Sequence, residues 1–350
     1  MKYASQAINA AFILSSSISK NHNSGHRVRT GILPSEQKDN VILDGVGLAT
    51  TTGITDFNKK TFEELKEKGL DISSVKRGDK TDYRIKTTGN SYELKTLEQV
   101  DKIGFHAKSY VVNQKPISSK EKTGTDSLRI AFGGTREQDW GRTFAMHVTK
   151  LPLHYEKNLR EFIDKTLETY RQSNPDSGLP ENIVISGHSA GATQANKAFE
   201  ILKEKGIESD VHLHLYEPFG AKFSKMKQED QKKAVSYTGH NSFLKYFLYD
   251  GDTIGKVKAL PESDSQKQVA AGKSITMSQW GILGRAMAAS VKGHGIDSII
   301  ESGLKSDEKE VVELEPVRKS QSTNGIAKFA EGVISSQLAK NYSTGMFSRL

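Results

Sequence analysis

The chain has 350 residues, with 50 Lys and Arg against 42 Asp and Glu, a formal net charge of +8 and a hydrophobic fraction of 35%. A chain of that length and composition can bury a substantial core, which excludes disorder throughout, and no run approaches the roughly 18 apolar residues of a membrane-spanning helix. The absence of cysteine excludes disulfides, thiolate zinc sites, iron–sulfur clusters and a cysteine nucleophile.

The first 40 residues read as a flexible leader. Ala7 to Leu14 are mostly apolar but broken by Asn9, too short and polar-flanked for a secretory signal, and residues 21–39 are polar with Gly25, Gly31 and Pro34. Order is expected from Val41, in an α+β flank over residues 41–102. There Thr55 or Asp56 caps a helix with Phe62 and Leu65 on one face and Gly69 at its end, and Tyr83–Ile85 is a short strand. Basic charge concentrates in this part of the chain. Residues 1–120 hold 19 basic and 13 acidic side chains, against 31 and 29 in the remainder. Such an excess reads first as an ordinary solvated surface and next as one that contacts anionic membranes; without an Arg-rich cluster or interleaved aromatics nucleic acid is not an expected partner.

The pattern sharpens over residues 103–304. After a short strand at Tyr110–Val112, Leu128, Ile130 and Phe132 alternate in a strand ending at Gly133-Gly134-Thr135. Leu159, Phe162, Ile163, Leu167 and Tyr170 then form the stripe of an amphipathic helix closed by Asn174, Pro175 and Gly178. A buried strand follows at Ile183–Ile185, then a tight turn and a helix carrying Ala195, Phe199 and Leu202 to Gly206. Further strands are expected at Val211–Tyr216 and Phe243–Tyr249, a helix at Trp280–Val291, and a short apolar segment at Ile296–Ile300. Strands alternating with helices predict an α/β fold with a mostly parallel sheet. Residues 305–350 read as an acidic linker, Asp307 to Glu315, followed by an amphipathic C-terminal helix aligning Ile326, Phe329, Val333, Ile334 and Leu338.

Gly187-x-Ser189-x-Gly191 lies between the buried strand and the helix behind it. On such a strained strand-to-helix turn the serine hydroxyl stands at the carboxyl end of the sheet, and the Ala190 N–H, at the helix start, is placed to stabilise an oxyanion. A serine needs a base, and the base needs a carboxylate. In hydrolases built on this turn they follow in the order Ser, Asp or Glu, His. Of the four histidines after Ser189, His212 and His214 sit in a strand and His240 precedes the expected acid, which leaves His294. Asp250 and Asp252 both end the strand Phe243–Tyr249; Asp252 is the favoured acid and Asp250 its rival. His212-x-His214 with Glu217 nearby has no third ligand at firm spacing, so neither a metal nor another cofactor is expected.

Three stretches in order resemble the class 3 lipase family of α/β-hydrolases: Ile130-Ala131-Phe132-Gly133-Gly134-Thr135 with Asp139-Trp140 after it, Val184 to Gly191 around Gly187-His188-Ser189-Ala190-Gly191, and Tyr249-Asp250-Gly251-Asp252-Thr253-Ile254. His154-Tyr155 resembles the family's entry to the long helix. The resemblance spans about residues 103–300. It implies an α/β-hydrolase fold, a triad Ser189, Asp252 and His294, and an oxyanion hole at Thr135 and Ala190. Gly133 stands where the family has Arg, Ala190 and Ala192 stand for its Leu and Gly, and Tyr216-Glu217-Pro218 is only loosely similar to its Gly-x-Pro segment. The family's lid position carries the short, charged Arg136 to Gly141, which favours phospholipid or soluble esters over triglycerides.

The expected function is hydrolysis of lipid carboxylic esters, of lipase or phospholipase A type, with no metal or organic cofactor. The alternative is a catalytically silent, lipase-like binding or effector module at anionic membranes. The basic N-terminal third and the lack of cysteine suit a secreted bacterial phospholipase or effector; oligomeric state is not legible.

Overall fold

The computed structural model describes residues 27–31, 35–51, 63, 65–67, 69–87, 89–102, 104–117, 125–134, 156–176, 178–218, 226–239, 256–260, 295–304 and 311–314. The expected strand at 243–249, the helices at 280–291 and 326–338, and Thr55, Asp56 and Phe62 lie outside them.

Strands β1 (Arg27–Gly31), β2 (Asp71–Arg77), β3 (Lys80–Lys86), β4 (Asn90–Lys102), β5 (Phe105–Pro116), β6 (Thr125–Phe132), β7 (Asn182–His188), β8 (Asp210–Tyr216), β9 (Ala234–Gly239), β10 (Lys256–Leu260) and β11 (Val311–Leu314) form one sheet. Its 11 strands run in the order β1-β11-β10-β9-β8-β7-β6-β5-β4-β3-β2. Helices α1 (Ser35–Ala49), α2 (Glu156–Ser173), α3 (Gly191–Glu204), α4 (Gln228–Gln231) and α5 (Ile296–Leu304) accompany it.

The mostly parallel sheet expected from the alternating elements is corrected to a mixed one. Only the centre, β6 to β10, is parallel. β2 to β5 form an antiparallel meander that joins β6 antiparallel, and β11 pairs antiparallel with both β10 and β1. The meander comes from the region least legible in sequence, where long hairpins need only short turns. The β4–β5 hairpin runs through the expected boundary at residue 102, pairing Lys102 with Phe105. Order also begins before residue 41, in β1 and α1, and the acidic linker contains β11. β1, at the edge of the sheet, has little apolar signature, and the Val-Val-Glu-Leu of β11 lies within the acidic stretch; distant partners define both.

Strands β6 to β9 bury residues on both faces. On β6, Leu128, Ile130 and Phe132 point to one side and Arg129 and Ala131 to the other, and all are buried. The first side packs with Ile183, Ile185, Leu213 and Leu215 under α2 and α3, through Leu159, Phe162, Ile163, Leu167, Ala195, Phe199 and Leu202. The second packs Tyr110, Val112, Tyr216, Tyr237 and Leu260 against α1 and α5, through Val41, Ile42, Val46, Ile299 and Ile300. Helix α1 lies so close to β5 that a Cβ on Gly47 would fall 2.1 Å from the Tyr110 hydroxyl.

Candidate active site

β7 brings the chain to the carboxyl edge of the sheet, where Ser189 turns it with φ 52°. Left-handed backbone at a residue with a Cβ costs on the order of 1–3 kcal/mol and needs support from its surroundings. Several contacts supply it. The Ser189 N–H donates to Tyr216 O on the neighbouring strand at 3.0 Å, and Ser189 O accepts the Ala192 N–H at 3.0 Å as α3 begins. The flanking glycines are required by close approach. A Cβ at Gly187 would lie 2.6 Å from Ala195 Cβ, and one at Gly191 would lie 2.3 Å from Phe132 O. The G-x-S-x-G spacing is thus what allows β6, β7 and α3 to converge on one point.

Ser189 is half-buried there. Ala190 is helical (φ −59°, ψ −27°) and immediately precedes α3, so the positive end of the helix dipole lies beside the serine. The end of β6 meets the turn from the other side. A Cβ at Gly134 would stand 3.1 Å from Ser189 Cβ and 2.8 Å from His188 Nδ1. Gly133 donates its N–H to His106 O at 2.8 Å, and a Cβ there would fall 2.3 Å from Thr51 Oγ1. Thr51 therefore occupies the direction an arginine side chain would take, a physical reason for glycine at this position. His106, buried beside it, pairs its Nδ1 with Asp101 at 2.7 Å.

The structure thus places Ser189 and Ala190 together at a strand-to-helix turn. Thr135, Asp250, Asp252 and His294 lie outside the described residues, as do Asp139, Trp140, His154 and His240. The described strand that follows β8 and pairs with it is β9, Ala234–Gly239, a segment not expected as a strand.

His212 and His214 both engage carboxylates: His212 Nε2 lies 2.8 Å from Asp210, and His214 Nδ1 lies 2.6 Å from Asp44. Among the described residues no group of His, Asp and Glu is arranged to hold a metal ion. Asp44, on α1, was not legible as part of any site. It also takes a hydrogen bond of 2.6 Å from Arg129 and one of 2.8 Å from the Tyr216 hydroxyl. Burial opposes its ionisation, but Arg129, His214 and these hydrogen bonds outweigh it and hold the carboxyl below its ordinary range. Arg129 also reaches Asn40 on the same helix. Glu217, 1% exposed at the end of β8, is the other described non-glycine residue with positive φ, 44°, and its N–H donates to Tyr237 O at 2.9 Å. A helix carboxylate paired with residues on β6 and β8 gives no periodic signal, so sequence alone offered no route to this cluster.

No family model matches the chain, and no curated protein does. Among solved structures, a fungal lipase in complex with an inhibitor, described as a model for interfacial activation in lipases, aligns with a TM-score of 0.40 at 11% identity, covering 85% of this chain and 92% of its own. A lipase from Rhizopus microsporus var. chinensis aligns with a TM-score of 0.30 at 9% identity, covering 67% and 77%.

Proposed function

We propose that the protein is a serine hydrolase that cleaves carboxylic esters of lipids, of lipase or phospholipase A type, on an α/β-hydrolase framework. The observation that carries this reading is Ser189 held at φ 52° between β7 and α3. An ordinary glycine-rich turn does not need a strained serine, whereas a nucleophile presented above the sheet does. In this mechanism Ser189 Oγ attacks the acyl carbonyl while His294 takes its proton, and Asp252 orients the imidazole. The carbonyl oxygen gains negative charge and is held by N–H groups at Thr135 and Ala190. Collapse of the tetrahedral intermediate expels the alcohol, protonated by His294, and leaves an acyl-enzyme. Water, activated by the same histidine, then releases the fatty acid. Each oxyanion donor is worth about 2.7–4 kcal/mol in such sites.

The test is hydrolysis of short and long p-nitrophenyl esters and of phosphatidylcholine and phosphatidylglycerol vesicles by wild type and Ser189→Ala. The expected outcome is turnover by wild type, none by the variant, and the same melting temperature for both. Serine-independent turnover, or a wild type inert to every ester and to a fluorophosphonate, overturns the reading, and the second result points to a binding module. Faster turnover on anionic than neutral vesicles, lost in high salt, is expected if the basic N-terminal third draws the protein to membranes.

A further inference from the structure

The peptide unit joining Tyr216 to Glu217 is gripped from both sides at the carboxyl edge of the sheet. Its carbonyl accepts the Ser189 N–H at 3.0 Å, and its N–H donates to Tyr237 O at 2.9 Å. It lies between the two described non-glycine residues with positive φ, Ser189 on one side and Glu217 on the other. Strained backbone persists where its surroundings over-determine it, and the Tyr216 side chain is anchored accordingly. Its fully buried ring stacks on Tyr237 at 5.0 Å between centroids and 11° between planes. Its hydroxyl donates to Asp44 Oδ2 at 2.8 Å, and the same carboxylate is held at 2.6 Å by both Arg129 and His214. One carboxylate on α1 therefore ties together β6, which leads to Gly133, and β8, whose end holds the serine turn.

We propose that Asp44 is a positioning residue for Ser189: its bond to Tyr216 fixes the 216–217 peptide unit, and with it the turn that presents the serine, making helix α1 a working part of the site. The consequence for turnover rests on the reading of Ser189 as a nucleophile; the consequence for the turn does not.

Tyr216→Phe keeps the ring and its stacking and removes only the hydroxyl. Amide hydrogen exchange at Ser189 is expected to speed up about tenfold, while Ile185, inside β7, keeps its protection. The kcat for a soluble ester is expected to fall about tenfold with KM unchanged. Asn40→Ala removes another contact between α1 and Arg129 without touching Tyr216; it is expected to leave Ser189 exchange at the wild-type rate. The double variant Asp44→Leu, Arg129→Met removes both buried charges and keeps Tyr216, and is expected to speed the same amide. Wild-type protection of Ser189 in either folded Tyr216→Phe or the double variant overturns the proposal, as does equal acceleration in Asn40→Ala. A wild type inert to every ester and to a fluorophosphonate overturns the nucleophile reading instead, and the exchange measurements still decide this one.

Discussion

Beneath α2 and α3 the sheet presents Leu128, Ile130, Ile183, Ile185 and Leu213 to Phe162, Leu167, Phe199 and Leu202. Beneath α1 the same strands, with β5, present Lys108, Arg129, His214, Tyr110 and Tyr216, all buried. The first layer is held by area and shape: Phe105, Phe132 and Phe162 meet with centroids 6.2 Å apart in each pair. Such packing yields gradually, because a side chain of similar volume recovers most of the burial. The second layer is held by partners. A buried carboxylate or guanidinium without its counterpart carries the full cost of its desolvation, so that face accepts few substitutes.

The contrast is broken most sharply at Asp44. Asp44→Ala leaves Arg129 charged in the interior and is expected to cost about 3–5 kcal/mol, read as a lowered urea midpoint. A loss below about 1 kcal/mol would mean that the polar face is as forgiving as the apolar one.

Lys108 tests the opposite sign. Its ammonium sits 4.7 Å from the centre of the Tyr83 ring, and burial lowers its pKa to about 7 although Asp82 pulls it upward. Between about 7 and the ordinary 10.5, the unfolded chain binds a proton that the folded one has released, so stability rises with pH through that window. Lys108→Met is therefore expected to stabilise the protein by a few kcal/mol at and below neutral pH, with the gain fading toward pH 10.5. Melting temperatures of both proteins at neutral and alkaline pH measure this; an equal gain at each would remove Lys108 titration as its cause.

Smaller effects are expected elsewhere. Phe162→Leu, on the apolar face, should cost less than about 1.5 kcal/mol by urea denaturation, and a larger loss would show that ring geometry rather than volume holds that layer. Arg84→Ala breaks an exposed pair with Glu93 at 3.5 Å and should shift stability by less than about 0.5 kcal/mol, a baseline for both faces.

The same division explains what was legible. The stripe of α2 is buried through Leu159, Phe162, Ile163, Leu167 and Tyr170, as its spacing predicts, because an apolar face on a regular helix writes its period into the chain. Helix α1 buries residues on nearly every side, among them Lys38, Asp39 and Asp44 beside Val41 and Ile42. A helix with charges inside and glycines within has no amphipathic period, and its beginning read as part of a polar leader. In the candidate site, the G-x-S-x-G spacing marked Ser189 and Ala190 because close approach admits only glycine at its flanks. The 216–217 peptide unit and Asp44 carry no such mark: what they do depends on a helix at residue 44 meeting strands at residues 129, 214 and 237.

By itself, then, the sequence determined the elements whose physics is local: β6, β7 and β8, the α2 and α3 stripes, and the glycines that let Ser189 stand in a strained turn. Tertiary structure alone decided that the first third continues the same sheet as an antiparallel meander, that β1 and β11 close its other edge, and that α1 seals a charged layer against it. Strand pairing and buried ion pairs are energies between distant residues, and only the folded chain brings those residues into contact.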